Sequence, residues 1–157
     1  MSNNAVYGGD EVNAVVIDIG THSVKAGYAG EDTPKLLFPS AVGCTSRDGG
    51  AAPAADSMEV DGQLQPGRQF YVGTHALSFR RDHMEVVSPF KDGSYHDWDA
   101  VEAIYDHTLR DQMRLRTQEH PVMLAEPSYN SREAREKMVQ LMFEKYDVPG
   151  ALWDVSQ

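Results

Sequence analysis

Cysteine is nearly absent from this chain, which is 157 residues long and contains one, Cys44. A single cysteine forms no internal disulfide and no cysteine-based metal site. The sequence also lacks an apolar run long enough to cross a membrane, and its polar, acidic start does not look like a secretory signal peptide. We therefore expect neither a disulfide scaffold nor a membrane-associated protein, and a reducing compartment is the natural inference.

Positive charge is also scarce. Lys and Arg number 14 against 24 Asp and Glu, which gives a formal net charge of −10 at pH 7. Because non-specific nucleic-acid binding needs a basic face, we expect no direct, sequence-specific DNA binding. A role beside DNA would require a partner protein. Arg80-Arg81 is an isolated basic pair, so no basic import signal stands out.

Length and composition suit one globular domain, with 41% hydrophobic and 24% charged residues. Residues 46–68 differ from the rest. They are rich in Gly, Ala, Asp and Pro and poor in large apolar side chains, so they cannot bury enough surface to offset the entropy of ordering. We interpret them as a flexible insertion within the domain and not as a linker between two domains.

The most informative stretch is AVVIDIGTHSVKAGYAG, residues 14–30. It predicts a β-hairpin whose turn region carries an acid, a glycine, a hydroxyl and a lysine. Glycine lets backbone N–H groups approach phosphate, a carboxylate suits hydrated Mg²⁺, and lysine adds a point charge. From spacing alone, a hairpin with a plain polar turn is the favoured interpretation, because short glycine motifs are common. The candidate residues are Asp18, Gly20, Thr21, His22 and Lys25.

Other short β-prone runs predict further strands at residues 36–38, 70–72, 84–87 and 122–125. The first of these extends the hairpin into a three-stranded antiparallel meander. Lys91-Asp92-Gly93 predicts a tight turn.

Three helical segments are predicted from caps and apolar periodicity. Thr74 is expected to cap one turn, and Asp97 to cap a helix that reaches about residue 113. Asn130, with Glu133 three residues later, is typical of a capping box for a helix that ends near residue 146.

After that last helix, Pro149-Gly150 breaks the pattern. Ala151-Leu152-Trp153 is compatible with the start of another strand, but no parallel strand of useful length is expected. Strands, helix, strand and helix in this order predict an α/β unit.

Catalytic signatures elsewhere are weak. The six histidines do not pair at metal-ligand spacing, and no strand-to-helix nucleophile elbow is present. Glu126 follows a predicted strand, where α/β folds commonly place ligand clefts. It is equally well interpreted as a solvated acid at a strand end.

Three blocks carry a family resemblance: AVVIDIGTHSVKAGYAGEDTPKLLFPSAVG, FYVGTHALSFRRDHMEVVSPFKDGSYHDWDAVEAIYDHTL and EHPVMLAEPSYNSREAREKMVQLMFEKYDVP. In this order they resemble the first part of the actin superfamily. YGGDEV, DIG and RRDHMEVVSP are more similar to its nuclear actin-related members than to conventional actin.

The resemblance implies an α/β fold of the actin-like (ribonuclease H-like) ATPase type, first half only, with a mixed sheet and flanking helices. Residues 1–149 would be the N-terminal part of an actin-like domain, and residues 150–157 a tail outside the family. The chain would then be a truncated or alternative product, with exposed apolar surface and marginal stability.

The resemblance also implies site roles. Asp18 would face the magnesium ion of ATP through water, Gly20, Thr21 and His22 would form the first phosphate loop, and Lys25 would approach the phosphates. Conventional actin has glycine where this chain has His22, and a bulky side chain there crowds a phosphate loop. Because the family's second phosphate loop and adenine pocket are missing, we expect ATP not to bind tightly.

By the same resemblance, we expect a non-catalytic structural or regulatory subunit of chromatin-remodelling and histone-acetyltransferase complexes in the nucleus. Its expected partners are nuclear actin, a helical segment of the remodelling ATPase and other subunits of those complexes. An ATP-hydrolysing member of the wider superfamily, which includes heat-shock chaperones and sugar kinases, is the alternative. A short product without a retained function, or a weak decoy, is the third hypothesis.

Overall fold

The structure is a computed structural model, and it describes residues 13–46 and 67–156. Strands and helices alternate irregularly along these residues. The strands are β1 (Val15–Ile19), β2 (Ser23–Tyr28), β3 (Leu36–Pro39), β4 (Val42–Ser46), β5 (Arg68–Tyr71), β6 (Glu85–Val87), β7 (Phe90–Lys91), β8 (Ser94–Tyr95), β9 (Val122–Pro127) and β10 (Ala151–Ser156). The α-helices are α1 (Thr74–Ser78), α2 (Trp98–Asp106) and α3 (Arg132–Gln140).

The main sheet has five strands in the order β10-β9-β1-β2-β3. The first three strands of the chain pair antiparallel in sequence, which confirms the predicted meander. β9 then pairs parallel with β1, and β10 pairs parallel with β9. The sheet is therefore mixed, as expected, and the described part of the chain is consistent with the first half of an actin-like domain.

The strand β10 corrects the expectation that no useful parallel strand follows the last helix. All six of its residues pair with β9, from Ala151 opposite Val122 to Ser156 opposite Pro127. The break at Pro149-Gly150 ends the helix, but it also returns the chain to the sheet. Within ALWDVS, Asp154 and Ser156 interrupt the apolar pattern, so the strand was difficult to recognise before its neighbour was known.

The helix α2 begins where it was predicted. The Asp97 side chain accepts a hydrogen bond from the Ala100 backbone N–H, and the helix widens into a π-helical turn at His107–Gln112. α3 widens in the same way at Leu141–Lys145. Each wide turn carries its helix on to about the residue at which it was expected to end.

Two predicted caps are wrong. Ser131, not Asn130, caps α3, and its Oγ accepts from the Ala134 N–H at 3.1 Å. The N-cap of α1 is Gly73, with no side-chain hydrogen bond, and Thr74 is the first helical residue. Gly73 has a φ of 93°, a conformation that favours glycine.

The core lies between one face of the main sheet and the two long helices. Alternate residues of each strand point into it, as the period of two requires. The sheet contributes Val15, Ile17, Ile19, Val24, Ala26, Phe38, Val122 and Leu124, and the helices with their wide turns contribute Ala100, Val101, Ile104, Tyr105, Leu109, Met138 and Met142. The burial of these helical positions agrees with the apolar periodicity from which the two long helices were predicted.

The opposite face of the sheet carries the other alternate residues and is the open face. Strand register places Leu37, Lys25, Asp18, Ala125 and Asp154 in one row across it. Leu37 is 66% exposed and Leu152, in the adjacent row, 59% exposed. The expected exposed apolar surface is therefore present.

A second sheet of three strands, in the order β5-β4-β6, packs beside the main one. The strand β4 was not predicted. Its last residue, Ser46, and the first residue of β5, Arg68, belong to these strands and not to the expected insertion. The interior of that insertion and residues 1–12 lie outside the described residues.

The turn predicted at Lys91-Asp92-Gly93 is present between β7 and β8. Asp92 and Gly93 have φ of 52° and 77°, the left-handed pair that a tight hairpin requires. No helix among the described residues is long and apolar enough to cross a membrane.

The corrected cap of α3 is testable. We expect Ser131→Ala to lower the free energy of unfolding by about 1 kcal/mol in urea denaturation, because the Ala134 N–H loses its acceptor. Ser128→Ala, at an exposed position in the preceding turn, is the control and should stay within about 0.5 kcal/mol of the parent. An unchanged midpoint for Ser131→Ala would show that the cap is formed by another residue.

Candidate functional site

The candidate site is the turn between β1 and β2. Asp18 is the fourth residue of β1, where it lies opposite Lys25 of β2 and opposite Ala125 of β9. The Gly20 N–H donates to the Ser23 carbonyl at 2.9 Å and closes the turn. The register therefore brings the carboxylate and the ammonium group to the same face of the sheet.

Thr21 and His22 form the exposed tip of the turn. Thr21 Oγ1 lies 3.0 Å from His22 Nδ1, within hydrogen-bond distance. The hydroxyl that was expected to face a phosphate is thus engaged by the adjacent imidazole. We expected a bulky residue at position 22 to crowd the phosphate loop, and this contact shows which loop group the His22 ring meets.

Ser40 is hydrogen-bonded to the β1–β2 turn, a role that was not identified from the sequence. It is fully buried, its Oγ donates to the Gly20 carbonyl at 2.5 Å, and its N–H donates to the His22 carbonyl at 3.0 Å. These two bonds fix the turn to the segment that follows β3. No local pattern signals this role, because the partners are about twenty residues apart in the chain.

A small cavity lies on the open face beside the hairpin, with a volume of about 240 Å³. Asp18 and Lys25 line it, together with the β2–β3 loop, whereas Gly20, Thr21 and His22 do not. The structure therefore separates the predicted residues into two groups. Asp18 and Lys25 share a cavity, and the phosphate-turn residues lie outside its lining.

The residues present fit the metal and phosphate end of an ATP site and not the whole ligand. A half-buried carboxylate suits a hydrated magnesium ion, and an exposed lysine suits a phosphate. Nucleotide-sized ligands, however, occupy cavities of roughly 300–1,000 Å³. Among the described residues, the hairpin supplies one wall of such a site.

Tyr95 is a strongly perturbed group whose pKa is affected by the charge of Asp18. Its ring packs on Phe90 and Trp98, with ring centroids 4.8 and 5.3 Å away. Burial raises the pKa of Tyr95 to about 12, and the negative charges of Asp18 and Glu126 add to the rise. The hydroxyl group therefore stays protonated at physiological pH.

Glu126 is buried and paired with other side chains, so it is neither a solvated acid nor a lone carboxylate that faces a cleft. It is 4% exposed, and its carboxylate pairs with Arg135 Nη2 at 2.5 Å. Arg135 Nε and Asn130 Nδ2 donate to its other oxygen at 3.2 and 3.1 Å. The interpretation as a solvated acid is wrong, because these bonds attach the end of β9 to α3.

Within residues 13–46 and 67–156, no three His, Cys, Asp or Glu side chains come together as a metal site. Asp18 therefore belongs to no cluster of potential metal ligands in the described part of the chain. This arrangement suits an ion that arrives with a nucleotide better than a resident protein-bound metal.

Comparison with known proteins identifies the fold. The family model described as actin matches residues 9–157. The chain belongs to the actin family. The match includes residues 150–157, the segment that was expected to lie outside it.

Individual relatives give a narrower match than the family as a whole. The chain is 50% identical over 159 residues to Actin-related protein 4 of Oryza sativa subsp. indica, an alignment that covers 92% of this chain and 35% of that protein. Over 161 residues it is 46% identical to Actin-related protein 4 of Arabidopsis thaliana, with the same two coverages. This actin-family chain spans about a third of the length of these two relatives.

A shorter relative is also similar. Actin-related protein 4A of Arabidopsis thaliana is 48% identical over 136 residues, which cover 84% of this chain and 94% of that protein. The predicted resemblance to the actin-related proteins is therefore confirmed, both by the family match and by relatives at about 50% identity.

The role of Ser40 gives a first prediction for the site. We expect Ser40→Ala to lower the free energy of unfolding by about 1 kcal/mol, because the Gly20 carbonyl loses a buried donor. Thr21→Ala, at an exposed position in the same turn, is the control and should be nearly neutral. Urea denaturation measures the free energy of unfolding of both variants. Equal losses in the two variants would contradict a stabilising role for the Ser40 hydrogen bonds.

The environment of Tyr95 gives a second prediction. Its folded pKa lies above the unfolded value of 10.0, so its contribution to stability is complete below pH 10 and is lost between pH 10 and about pH 12. Tyr95→Phe should reduce the alkaline loss of stability by about 2 kcal/mol.

Denaturation midpoints measured at intervals from pH 8 to pH 12 would test the effect. Tyr129→Phe, which changes a tyrosine that is 63% exposed, is the matched control. Identical alkaline profiles for Tyr95→Phe and the parent chain would contradict the burial argument.

Proposed function

We propose that this chain acts as a non-catalytic structural or regulatory subunit of nuclear chromatin-remodelling and histone-acetyltransferase complexes. The observation that carries the proposal is the divided site. Asp18 and Lys25 face one small cavity, while Gly20, Thr21 and His22 lie outside its lining. The β1–β2 turn typical of the family is therefore present, but its residues do not line the same cavity as Asp18 and Lys25. This arrangement suits a protein that is recognised by partners and does not turn over ATP.

The tip of the turn supports the same conclusion. Phosphate binding by a turn needs free backbone N–H groups and a hydroxyl that is available to the ligand. Here the Gly20 N–H is used within the turn, and the Thr21 hydroxyl lies beside the His22 ring. Both would have to rearrange before a phosphate could bind.

Surface charge supports protein partners over DNA. The net charge of −10 opposes direct contact with a phosphate backbone, so contact with chromatin would pass through other subunits. Nuclear actin and a helical segment of the remodelling ATPase are the partners we propose. The apolar side chains exposed on the open face, such as Leu37 and Leu152, add uncharged surface for such contacts.

ATP hydrolysis is the second candidate function. One observation favours it, because the register of β1 and β2 places Asp18 directly opposite Lys25, as a metal–phosphate site requires. In that case the remaining walls of the site would have to come from outside the described residues.

The two functions predict different behaviour of an Asp18→Ala variant. We expect the parent chain to show no ATP turnover above background, and tagged parent and Asp18→Ala chains to capture actin and the remodelling ATPase equally from nuclear extract. Asp82→Ala, at an exposed position, is the matched control. Phosphate release and immunoblotting of the captured proteins are the measurements.

Hydrolysis that disappears in Asp18→Ala and persists in Asp82→Ala would favour the enzyme. Failure of all three chains to retain either partner would sink the subunit proposal.

A further inference from the structure

His107 is an imidazole packed between separate elements of the fold. It follows α2 directly, as the first residue of the π-helical turn His107–Gln112. Its ring meets the ring of Phe38 in β3 edge to face, with the ring centroids 5.1 Å apart and the planes at 81°. The side chain is 18% exposed, so the ring lies largely out of solvent.

Gly73 lies against the same imidazole. A Cβ atom at position 73 would lie 3.0 Å from His107 Nε2 and 3.4 Å from Cε1, so the ring occupies the space that a side chain would need. The backbone conformation of Gly73, with a φ of 93°, also favours glycine. We call the packing of His107 on Phe38 and Gly73 the His107 contact.

The His107 contact joins the two sheets. Phe38 belongs to the main sheet, where it lies opposite Val24 of β2. Gly73 is the N-cap of α1 and follows β5 of the second sheet. A separate link, from Arg68 Nη2 to Asp97 Oδ2 at 2.6 Å, ties the start of β5 to α2. Loss of the His107 contact would therefore release the segment at Gly73 while β5 stays attached.

Among the described residues, one charged group acts on His107. Phe38 and Gly73 carry no titratable group, so the contact itself provides no counterion. On the π-helical turn, Asp111 Oδ2 lies 3.7 Å from Nδ1, but that side chain is 69% exposed and water screens its attraction. Burial lowers the pKa of His107 from its usual 6.5, and the attraction of Asp111 opposes this shift only in part.

Protonation of His107 is therefore coupled to the contact that it makes. The packed ring resists the charge, whereas in an opened state water hydrates the ring and its pKa returns toward 6.5. The opened state thus binds more protons than the packed state as the pH falls from 6.5 to the lowered pKa. By linkage, the contact has its full strength above pH 6.5 and weakens below it.

We propose that the His107 contact is a pH-sensitive switch, in which the neutral imidazole holds residues 73–79 against the main sheet and the charged imidazole releases them. The proposal does not depend on the function proposed above. It stands on the position of a largely buried imidazole between two sheets, with one exposed carboxylate beside it.

Hydrogen exchange of the whole chain, measured by NMR at pH 7.5 and pH 5.5, tests the switch. We expect the amides of residues 73–79 to be less protected than those of β1 at both pH values, because they exchange by local opening. Their protection factors should fall at pH 5.5, by up to about tenfold for each unit by which the pKa of His107 lies below 6.5. The Leu77 amide, which donates to the Gly73 carbonyl at 3.1 Å, is the most direct reporter.

Two histidine variants separate the switch from a general effect of pH. His107→Gln removes the titratable ring, so the protection of residues 73–79 should no longer depend on pH over this range. His96→Gln changes an exposed histidine and is the matched control, which should keep the pH dependence of the parent chain.

Asp111→Asn gives a second test that remains decisive if His107→Gln fails to fold by circular dichroism. It removes the charge that favours the protonated ring, so the pKa of His107, followed by NMR titration, should move to a lower value. The midpoint of the loss of protection should move with it.

A pKa of His107 equal to or above that of His96 would overturn the proposal. So would protection of residues 73–79 that does not change with pH, or that changes equally in the parent chain and His107→Gln. Equal protection of these residues and of β1 would also overturn it, because both segments would then exchange only by global unfolding.

Discussion

The whole structure depends on the double pairing of β1. Val15 lies opposite Val122 on one side and opposite Tyr28 on the other, so one five-residue strand fixes a parallel and an antiparallel register together. A shift of one residue would exchange the two faces of β1. Ile17 and Ile19 would then leave the core, and Asp18 would enter it. The hydrophobic core and the position of the candidate site are therefore consequences of the same register.

Much of this arrangement could be predicted where the signal is local. The meander follows from alternation and turns near β1, β2 and β3, and Asp97 with the stripe behind it marks α2. The elements that were missed depend on distant partners. β4 is short and contains glycine, and β10 has a polar alternate residue in Asp154, so each becomes recognisable as a strand only beside its neighbour. Ser131, and not Asn130, caps α3, while the Asn130 side chain donates to Glu126.

In the candidate site, too, the features with a local sequence signal were predicted and those that depend on distant contacts were not. The candidate residues from Asp18 to Lys25 were identified from local chemistry and family resemblance. The structure places Gly20, Thr21 and His22 in the turn, and Asp18 and Lys25 on the two strands that flank it. What the sequence could not reveal is which of them share a cavity, and that Ser40 secures the turn from beneath. Both facts arise from contacts across the sheet. Family membership identifies the fold, while the divided lining is what motivates a role in recognition over catalysis.

The one-sided layering has a thermodynamic consequence. In the described part of the chain, the two long helices cover one face of the main sheet, and the open face meets solvent. Less apolar surface per residue is then newly hydrated on unfolding than in a sheet covered on both faces. The heat-capacity change of unfolding should fall below the usual value of about 12–15 cal/mol/K per residue. We expect a correspondingly flat stability curve, so that warming and cooling both change the free energy of unfolding gradually.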